Sequence, residues 1–485
     1  MAKKLTSVVG IDIGSSTIKL AELRLRGGAP EISALGLAET PEGAVDHTGV
    51  YNSEAVGDAL KALFSECGAS VGVCVAAIAG QASVLVRTLE VPRMSPTELR
   101  EHMQWEISRN VPFADSNVVS DFKVLPEEDP NSPNMDVVMA IAPQAAIDTI
   151  INAVRRAGRA CAAIDVEPLA IARSLQTSYD DLADKAICIV DLGHKTTAIN
   201  IYRNGKLLMP RQIPVGGEMF TKAISDHLGI SMEEAERMKV DKAVIPKSAI
   251  EASRNLAADV GFGPMPQSVP PAGGETQGFQ AYNPFSDQPI AANPFTEPQP
   301  APHSFAAPDQ PAVGVPEPNP FAAPGEGASA EPSAPTPNPF ADQPTPTGAD
   351  QPAQAPAGGT ALPDHNPFEA PDAAATGVLP GDSESIRLFN AYSATLDEFV
   401  AEVRRSIDYF RSRGGDVDRI MLSGGGTRLR GLTEYLHANL DLPCDPYNPL
   451  ERLNLNDKKV APGYAEEHAQ EFTVAVGTAL HIFFD

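Results

Sequence analysis

Sulfur and tryptophan are sparse in this chain, with five cysteines and one Trp among 485 residues. The cysteines, Cys67, Cys74, Cys161, Cys188 and Cys444, are odd in number and scattered, with no Cys-x-x-Cys spacing. That pattern argues against both a disulfide framework and a zinc site, and most of the five lie in apolar runs as expected of reduced core residues. No segment reaches the roughly 20 consecutive apolar residues that a spanning helix needs, so membrane association is expected only through a partner, without direct insertion. The opening MAKKLTSVVGIDIG carries two lysines but runs into an Asp-containing strand, which is not the pattern of a secretory signal. Positive charge is also short: 37 Lys and Arg against 63 Asp and Glu, a net charge of −26. Non-specific nucleic-acid binding needs basic surface, so nucleic acid is not an expected partner. A soluble, cytoplasmic protein of several domains is the class that remains.

The shortage of cations is local. Residues 262–380 contain no Lys or Arg, 12 Asp or Glu and 28 of the 45 prolines, so they supply 12 of the excess negative charges and leave −14 on the rest. Such a segment cannot bury enough apolar surface to offset its chain entropy and is expected to be disordered. Five Asn-Pro-Phe triplets recur in it, at Asn283, Asn293, Asn319, Asn338 and Asn366. Asn-Pro favours a turn and the Phe supplies an apolar anchor, which suits multivalent docking; duplicated low-complexity sequence without a receptor has the same look.

The chemistry concentrates in three places. Val8 to Leu23 reads VVGIDIGSSTIKLAEL and Ile187 to Arg203 reads ICIVDLGHKTTAINIYR, each an apolar strand ending in Asp-x-Gly, then small hydroxyl or polar residues and a second strand. A third segment, IMLSGGGTRLRGL at Ile420 to Leu432, carries three consecutive glycines. A hairpin that approaches polyphosphate needs glycine at its turn so that backbone N–H groups face the anionic oxygens; Gly14 and Gly193 fit. Ser15, Ser16, Thr196 and Thr197 offer hydroxyl donors, and Lys19 a point charge. Asp12 and Asp191 beside phosphate require an intervening cation, and magnesium is commonly held by one or two carboxylates with several waters. A single Asp-x-Gly is equally well a simple hairpin turn; the repetition with the glycine run favours a nucleotide cleft between two halves.

These segments resemble the actin-like ATPase superfamily, and within it the PilM family of type IV pilus assembly proteins. The resemblance extends to WEISRNVPF at Trp105 to Phe113, IPVGGEMFTKAI at Ile213 to Ile224, SMEEAERMK at Ser231 to Lys239 and AEVRRSIDYF at Ala401 to Phe410, covering nearly all of the chain except the insert, which is longer than PilM relatives generally carry. It implies an α/β fold of two duplicated halves around a cleft for ATP and Mg²⁺, with a small inserted subdomain of the kind shared with FtsA. It also nominates Glu236 and Lys239 for the adenosine, although an i, i+3 ion pair reads the same. Gly424, Gly425 and Gly426 are expected beside the adenine and α-phosphate, with Gly216 and Gly217 lining the same cleft. Glu167, with Asp165 second, sits where the superfamily places the group that orients attacking water; an acidic helix N-terminus has the same sequence.

The expected division is 1–82 and 161–185 for the first half, 83–160 for an inserted β-α-β-β subdomain, and 186–261 and 381–485 for the second half around the 262–380 insert. The family implies a scaffold with at most slow ATPase activity, docking the cytoplasmic tail of a PilN-like inner-membrane protein and acting beside other pilus or secretion platform proteins. A tail groove is expected near Trp105 and the Asn110 to Phe113 turn, although both aromatics equally suit the subdomain core. An FtsA-like division protein is the second reading, against which HIFFD follows the last helix without a basic amphipathic anchor. A small-molecule kinase is the third, but no catalytic aspartate can be nominated.

Overall fold

The first three strands, β1 (Ser7–Ile13), β2 (Thr17–Arg26) and β3 (Ala29–Glu39), form an antiparallel meander whose apolar residues bury on both faces. Helix α1 (Ser53–Glu66) follows, its start fixed by the Asn52 side chain accepting from the Ala55 N–H, then β4 (Val73–Ile78). The inserted unit comprises β5 (Leu85–Pro92), α2 (Pro96–Asn110), β6 (Val118–Val124) and β7 (Asn134–Pro143). Helix α3 (Gln144–Arg156), β8 (Ala160–Val166) and α4 (Glu167–Ser178) return the chain to the first half. The second half repeats the plan with β9 (Ala186–Leu192), β10 (Thr197–Arg203) and β11 (Lys206–Ile213). Helices α5 (Gly217–Leu228), α6 (Met232–Lys242), α7 (Lys247–Asp259) and α8 (Pro380–Ser412) come next. Then β12 (Arg419–Ser423), a 3₁₀ turn at Gly425–Arg428, α9 (Leu432–Leu440) and β13 (Cys444–Pro446) close it. The chain ends through β14 (Asn454–Leu455), α10 (Pro462–His468) and α11 (Thr473–Phe484).

This computed structural model describes residues 5–80, 83–110, 117–126, 131–178, 182, 184–259, 380–456 and 459–484. The Asn-Pro-Phe segment lies outside them, as do residues 111–113 of the turn expected to border a groove.

The first sheet runs β14-β3-β2-β1-β4-β8 and the second β11-β10-β9-β12-β13. In each, an antiparallel meander joins parallel strands on its first member's far side. This is the duplicated α/β architecture expected from the two Asp-x-Gly hairpins. The third sheet, β5-β7-β6, is covered by α2, with Leu99 and Met103 packed on Val137, Met139 and Ile141. Helix α3, grouped with the inserted unit in the 83–160 reading, instead buries Ile150, Ala153 and Val154 in the first half's core with Val56 and Leu60 of α1. Its apolar face matched α1 rather than the small sheet, which α2 already covers.

Two features couple the parts. Helices α4 and α11 cross so closely that a Cβ at Gly477 would stand 1.9 Å from the Ala170 carbonyl oxygen. Beside them, Leu125 and Val138 of the inserted unit join Ile171, Leu175, Tyr202, Leu207 and Tyr447 in one buried cluster. Thr88 donates to the Leu208 carbonyl at 3.2 Å and Lys206 pairs with Asp136, so the inserted unit also touches β11 of the second half.

Candidate nucleotide cleft

The two hairpins close in the same way. The Gly14 N–H donates to the Thr17 carbonyl and the Gly193 N–H to the Thr196 carbonyl, both at 3.1 Å. At either glycine a Cβ would lie 2.8 Å from that same carbonyl oxygen, so side chains are excluded at both turns. The two loops face one cavity of about 580 Å³. Its lining takes in Asp12, Gly14, Ser15, Ser16 and Lys19 from the first half, and Glu167, Asp191, Gly193 and Thr196 around its floor. Gly217, Glu236, Lys239 and Gly424 to Gly426 line it from the second half.

The glycine run has a clear physical cause. Gly424 has φ +87°, the left-handed region that favours glycine, and a Cβ there would stand 2.3 Å from Asp191 Oδ1. Backbone therefore passes directly over the Asp191 carboxylate, and Gly426 packs equally closely on Leu192.

Carboxylates crowd the floor. Burial, then Asp191 and Asp12, push the Glu167 carboxyl up, with Lys19 opposing. Burial and Asp12 do the same to Asp191. Lys19 pairs with Asp12 at 3.1 Å; burial works against its charge, but Asp12, Asp191 and Glu471 outweigh it and raise its pKa. A floor of like charges with one lysine is short of positive charge and suits a bound cation. Among the described residues no three His, Cys, Asp or Glu side chains gather closely enough to cage a metal. Asp12 and Asp191 therefore fit a magnesium that keeps much of its water, the glycine-lined backbone leaving room for phosphate.

Not every nominated residue reaches the cavity. Thr197 is fully buried and its hydroxyl donates to the Val215 carbonyl at 2.6 Å, which removes it from the phosphate ligands. Thr196, the residue just before β10, lines the cleft instead. Gly216 caps α5 beneath the loop; a Cβ on it would meet the His194 carbonyl oxygen at 2.4 Å, so it seats the loop rather than lining the cavity. Asp165 is buried in an ion pair with Arg173 at 2.6 Å, away from the cavity, and is withdrawn as a water-orienting candidate. Glu167, the first residue of α4, does face it.

Lys239 donates to Glu236 at 2.7 Å, to Thr221 Oγ1 at 2.7 Å and to the Gly217 carbonyl at 2.9 Å, tying α6 to α5 at the rim. Against the upward push of burial, Lys239 and Thr221 hold the Glu236 carboxyl below its ordinary range. The ion pair and the cleft position are thus both real. Sequence reasoning passed over His194, Lys195, Arg428 and Glu471, although all line the same cavity or its rim. His194 and Lys195 stood in the quoted DLGHKTT loop and could have been found there.

Trp105 is 53% exposed on α2, with the Arg109 guanidinium 4.3 Å from its ring centroid, so it is not a core residue. Strand β6 is one edge of the small sheet and shows exposed Val119 and Val124. No helix among the described residues is long and apolar enough to cross a membrane.

The family described as type IV pilus assembly protein PilM matches residues 10–251, and that described as cell division protein FtsA matches residues 188–477. FtsA of Bacillus subtilis is 40% identical over 93 residues, 19% of this chain and 21% of that protein. FtsA of Pseudomonas aeruginosa is 25% identical over 255 residues, 48% of this chain and 60% of that protein. The chain thus spans less than two thirds of the length of the curated relatives it matches. Among solved structures, a "PilM-PilN type IV pilus biogenesis complex" aligns with TM-score 0.65 and 21% identity over 100% of both chains, a likeness of fold. With the fold, the duplicated hairpins and the inserted subdomain in place, the chain belongs to the PilM family of type IV pilus assembly proteins, with an FtsA-family match across its second half.

Proposed function

We propose that this protein is an ATP- and Mg²⁺-binding scaffold of type IV pilus assembly that acts at the cytoplasmic face of the inner membrane, recruited there by the tail of a PilN-like protein. The observation that carries the reading is the meeting of two Asp-x-Gly hairpins and the Gly424 to Gly426 turn around one cavity. Asp12 and Asp191 hold the cation, which supplies charge neutralisation for the phosphates when bound. Gly14, Ser15, Ser16, Gly193 and Thr196 offer donors to the phosphate chain. Glu236 and the glycine run border the adenosine. Glu167, at the start of α4 and facing the cavity, is the group placed to accept a proton from water at the floor.

Tail docking is assigned to the inserted unit formed by β5, α2, β6 and β7. Its support is the exposed Trp105 on α2 and the open β6 edge, an apolar anchor and a strand edge of the sort that captures extended peptides. The FtsA match across the second half favours an FtsA-like division scaffold as the other reading. A fluorescent peptide of a PilN-like cytoplasmic tail, titrated with and without ATP and magnesium, tests the assignment. Binding with crosslinks between residues 83 and 158 is expected. No binding of the tail, or crosslinks confined to the second half, would remove this assignment and favour the second reading.

A further inference from the structure

Strand β6 (Val118–Val124) ends the small sheet, and among the described residues it pairs with β7 alone. The direction of its backbone groups follows from two bonds at its ends. The Leu125 N–H donates to the Asp136 carbonyl and the Gln144 N–H to the Asn117 carbonyl, both at 2.8 Å. Odd-numbered residues of the strand therefore turn their N–H and C=O toward β7, and Ser120, Phe122 and Val124 turn theirs outward. The outward Phe122 N–H donates to the carboxylate of its own neighbour Asp121, at 2.8 Å.

Side chains alternate across the same strand. Val118 and Phe122 join the apolar cluster beneath α2, while Val119, Asp121 and Lys123 share the opposite face and are exposed. An open seven-residue edge with exposed Val119 and Val124 is a template for another strand, and its charges decide which strand fits. A second copy of β6, antiparallel about a twofold axis, must match outward residues with outward residues to form its hydrogen bonds, which leaves few registers. With Asp121 or Lys123 on the axis, like charges face each other. With Ser120 or Val124 there, Asp121 and Lys123 find no opposite charge directly across the pair. With Phe122 on the axis, Asp121 of each copy faces Lys123 of the other. Ser120 of one copy then exchanges both backbone hydrogen bonds with Val124 of the other, and Phe122 with its own counterpart. The two charges meet at the closely spaced positions between those bonds.

We propose that β6 is a self-pairing edge: two copies of this chain join through antiparallel β6 strands centred on Phe122, closed by reciprocal Asp121–Lys123 ion pairs, into one sheet running β5-β7-β6-β6-β7-β5. The contact does not involve the nucleotide cleft. It uses one strand from each copy, so association is weak and concentration-dependent. A partner tail captured on the inserted unit takes the same edge, so self-pairing and tail capture exclude each other.

Sedimentation equilibrium of the full chain over a range of concentrations tests it, with a monomer–dimer equilibrium expected for wild type. Asp121→Lys sets lysine against lysine across the axis and Lys123→Asp sets aspartate against aspartate. Both ion pairs change sign in each variant, so each should weaken self-association about tenfold or more. An equimolar mixture of the two variants restores opposite charges and should associate as wild type does, as should the chain carrying both substitutions. Ser120→Pro removes an outward N–H from an edge strand, where proline is tolerated, and should abolish the dimer with an unchanged melting temperature. A wild type that stays monomeric at its highest soluble concentration would overturn the proposal and leave the edge to the tail alone. A dimer indifferent to all three substitutions, which must then form elsewhere, would overturn it too, as would weakened variants whose mixture fails to associate.

Discussion

Replacing Asp191 with asparagine should make the nucleotide-free protein more stable while abolishing its response to ATP and magnesium. The isosteric amide keeps the side chain beneath Gly424, where the carboxylate oxygen now lies, and removes one of the crowded negative charges. Burial first and Asp12 second raise the Asp191 pKa above its ordinary 3.8, with Lys19 opposing. Folded protein therefore retains a proton that the unfolded chain has already released, and stability falls as pH rises from that ordinary value through the folded one. Asparagine does not titrate. Its advantage is absent below about pH 4 and largest at neutral and alkaline pH, where relief of about 1–3 kcal/mol is expected for a partly solvated site. That corresponds to roughly 2–5 °C in melting temperature. Saturating ligand at 100 times its Kd would stabilise wild type by about 2.7 kcal/mol and leave the variant unmoved, so ATP and magnesium should raise the wild-type melting temperature and not the variant's. Differential scanning fluorimetry at pH 5 and pH 8, with and without ligand, reads both effects. A variant that melts below wild type at pH 8 without nucleotide, or that keeps the full ligand shift, would refute the reasoning.

Other expectations follow from the same geometry. Glu22 is fully buried in β2 and accepts from Ser33 Oγ at 2.6 Å, from Arg24 Nε and Nη2 at 2.9 and 2.8 Å, and from the Ser70 and Val71 amides at 2.6 and 2.9 Å. Against burial, these donors hold its pKa below 4.5, so its contribution is present above that value and is lost as pH falls through the folded pKa. Glu22→Gln should cost about 2–4 kcal/mol by urea denaturation at pH 7, narrowing below pH 4; an unchanged midpoint at pH 7 would contradict it. Gly477→Val should prevent close crossing of α4 and α11 and cost about 3 kcal/mol or more, read as loss of soluble, cooperatively melting protein. Replacing residues 262–380 by a short Gly-Ser linker should leave melting temperature and nucleotide affinity within error of wild type, as the composition of that segment offers no core; a drop of several degrees would show that it packs.

Local chemistry was legible in the chain. The Asp-x-Gly turns, the three-glycine run and the alternation of apolar residues need only nearest-neighbour geometry, so the hairpins at Gly14 and Gly193 could be read directly. The meeting of the two hairpins at one cavity also followed, because a duplicated α/β half has few ways to pair with its copy. Which way a side chain turns was not legible. Thr196 and Thr197 are neighbours at the start of β10, yet only Thr197 turns inward, onto the Val215 carbonyl, while Thr196 lines the cleft. Asp165 and Glu167 are two residues apart, yet Arg173, reached through a turn of α4, claims the first and leaves the second at the cleft floor. Helix α3 joined α1 rather than the inserted sheet, and Glu22 found its donors 48 and 49 residues away at Ser70 and Val71. Each of these was settled by contacts between distant segments, whose energies depend on which surfaces remain uncovered once the nearer elements have paired.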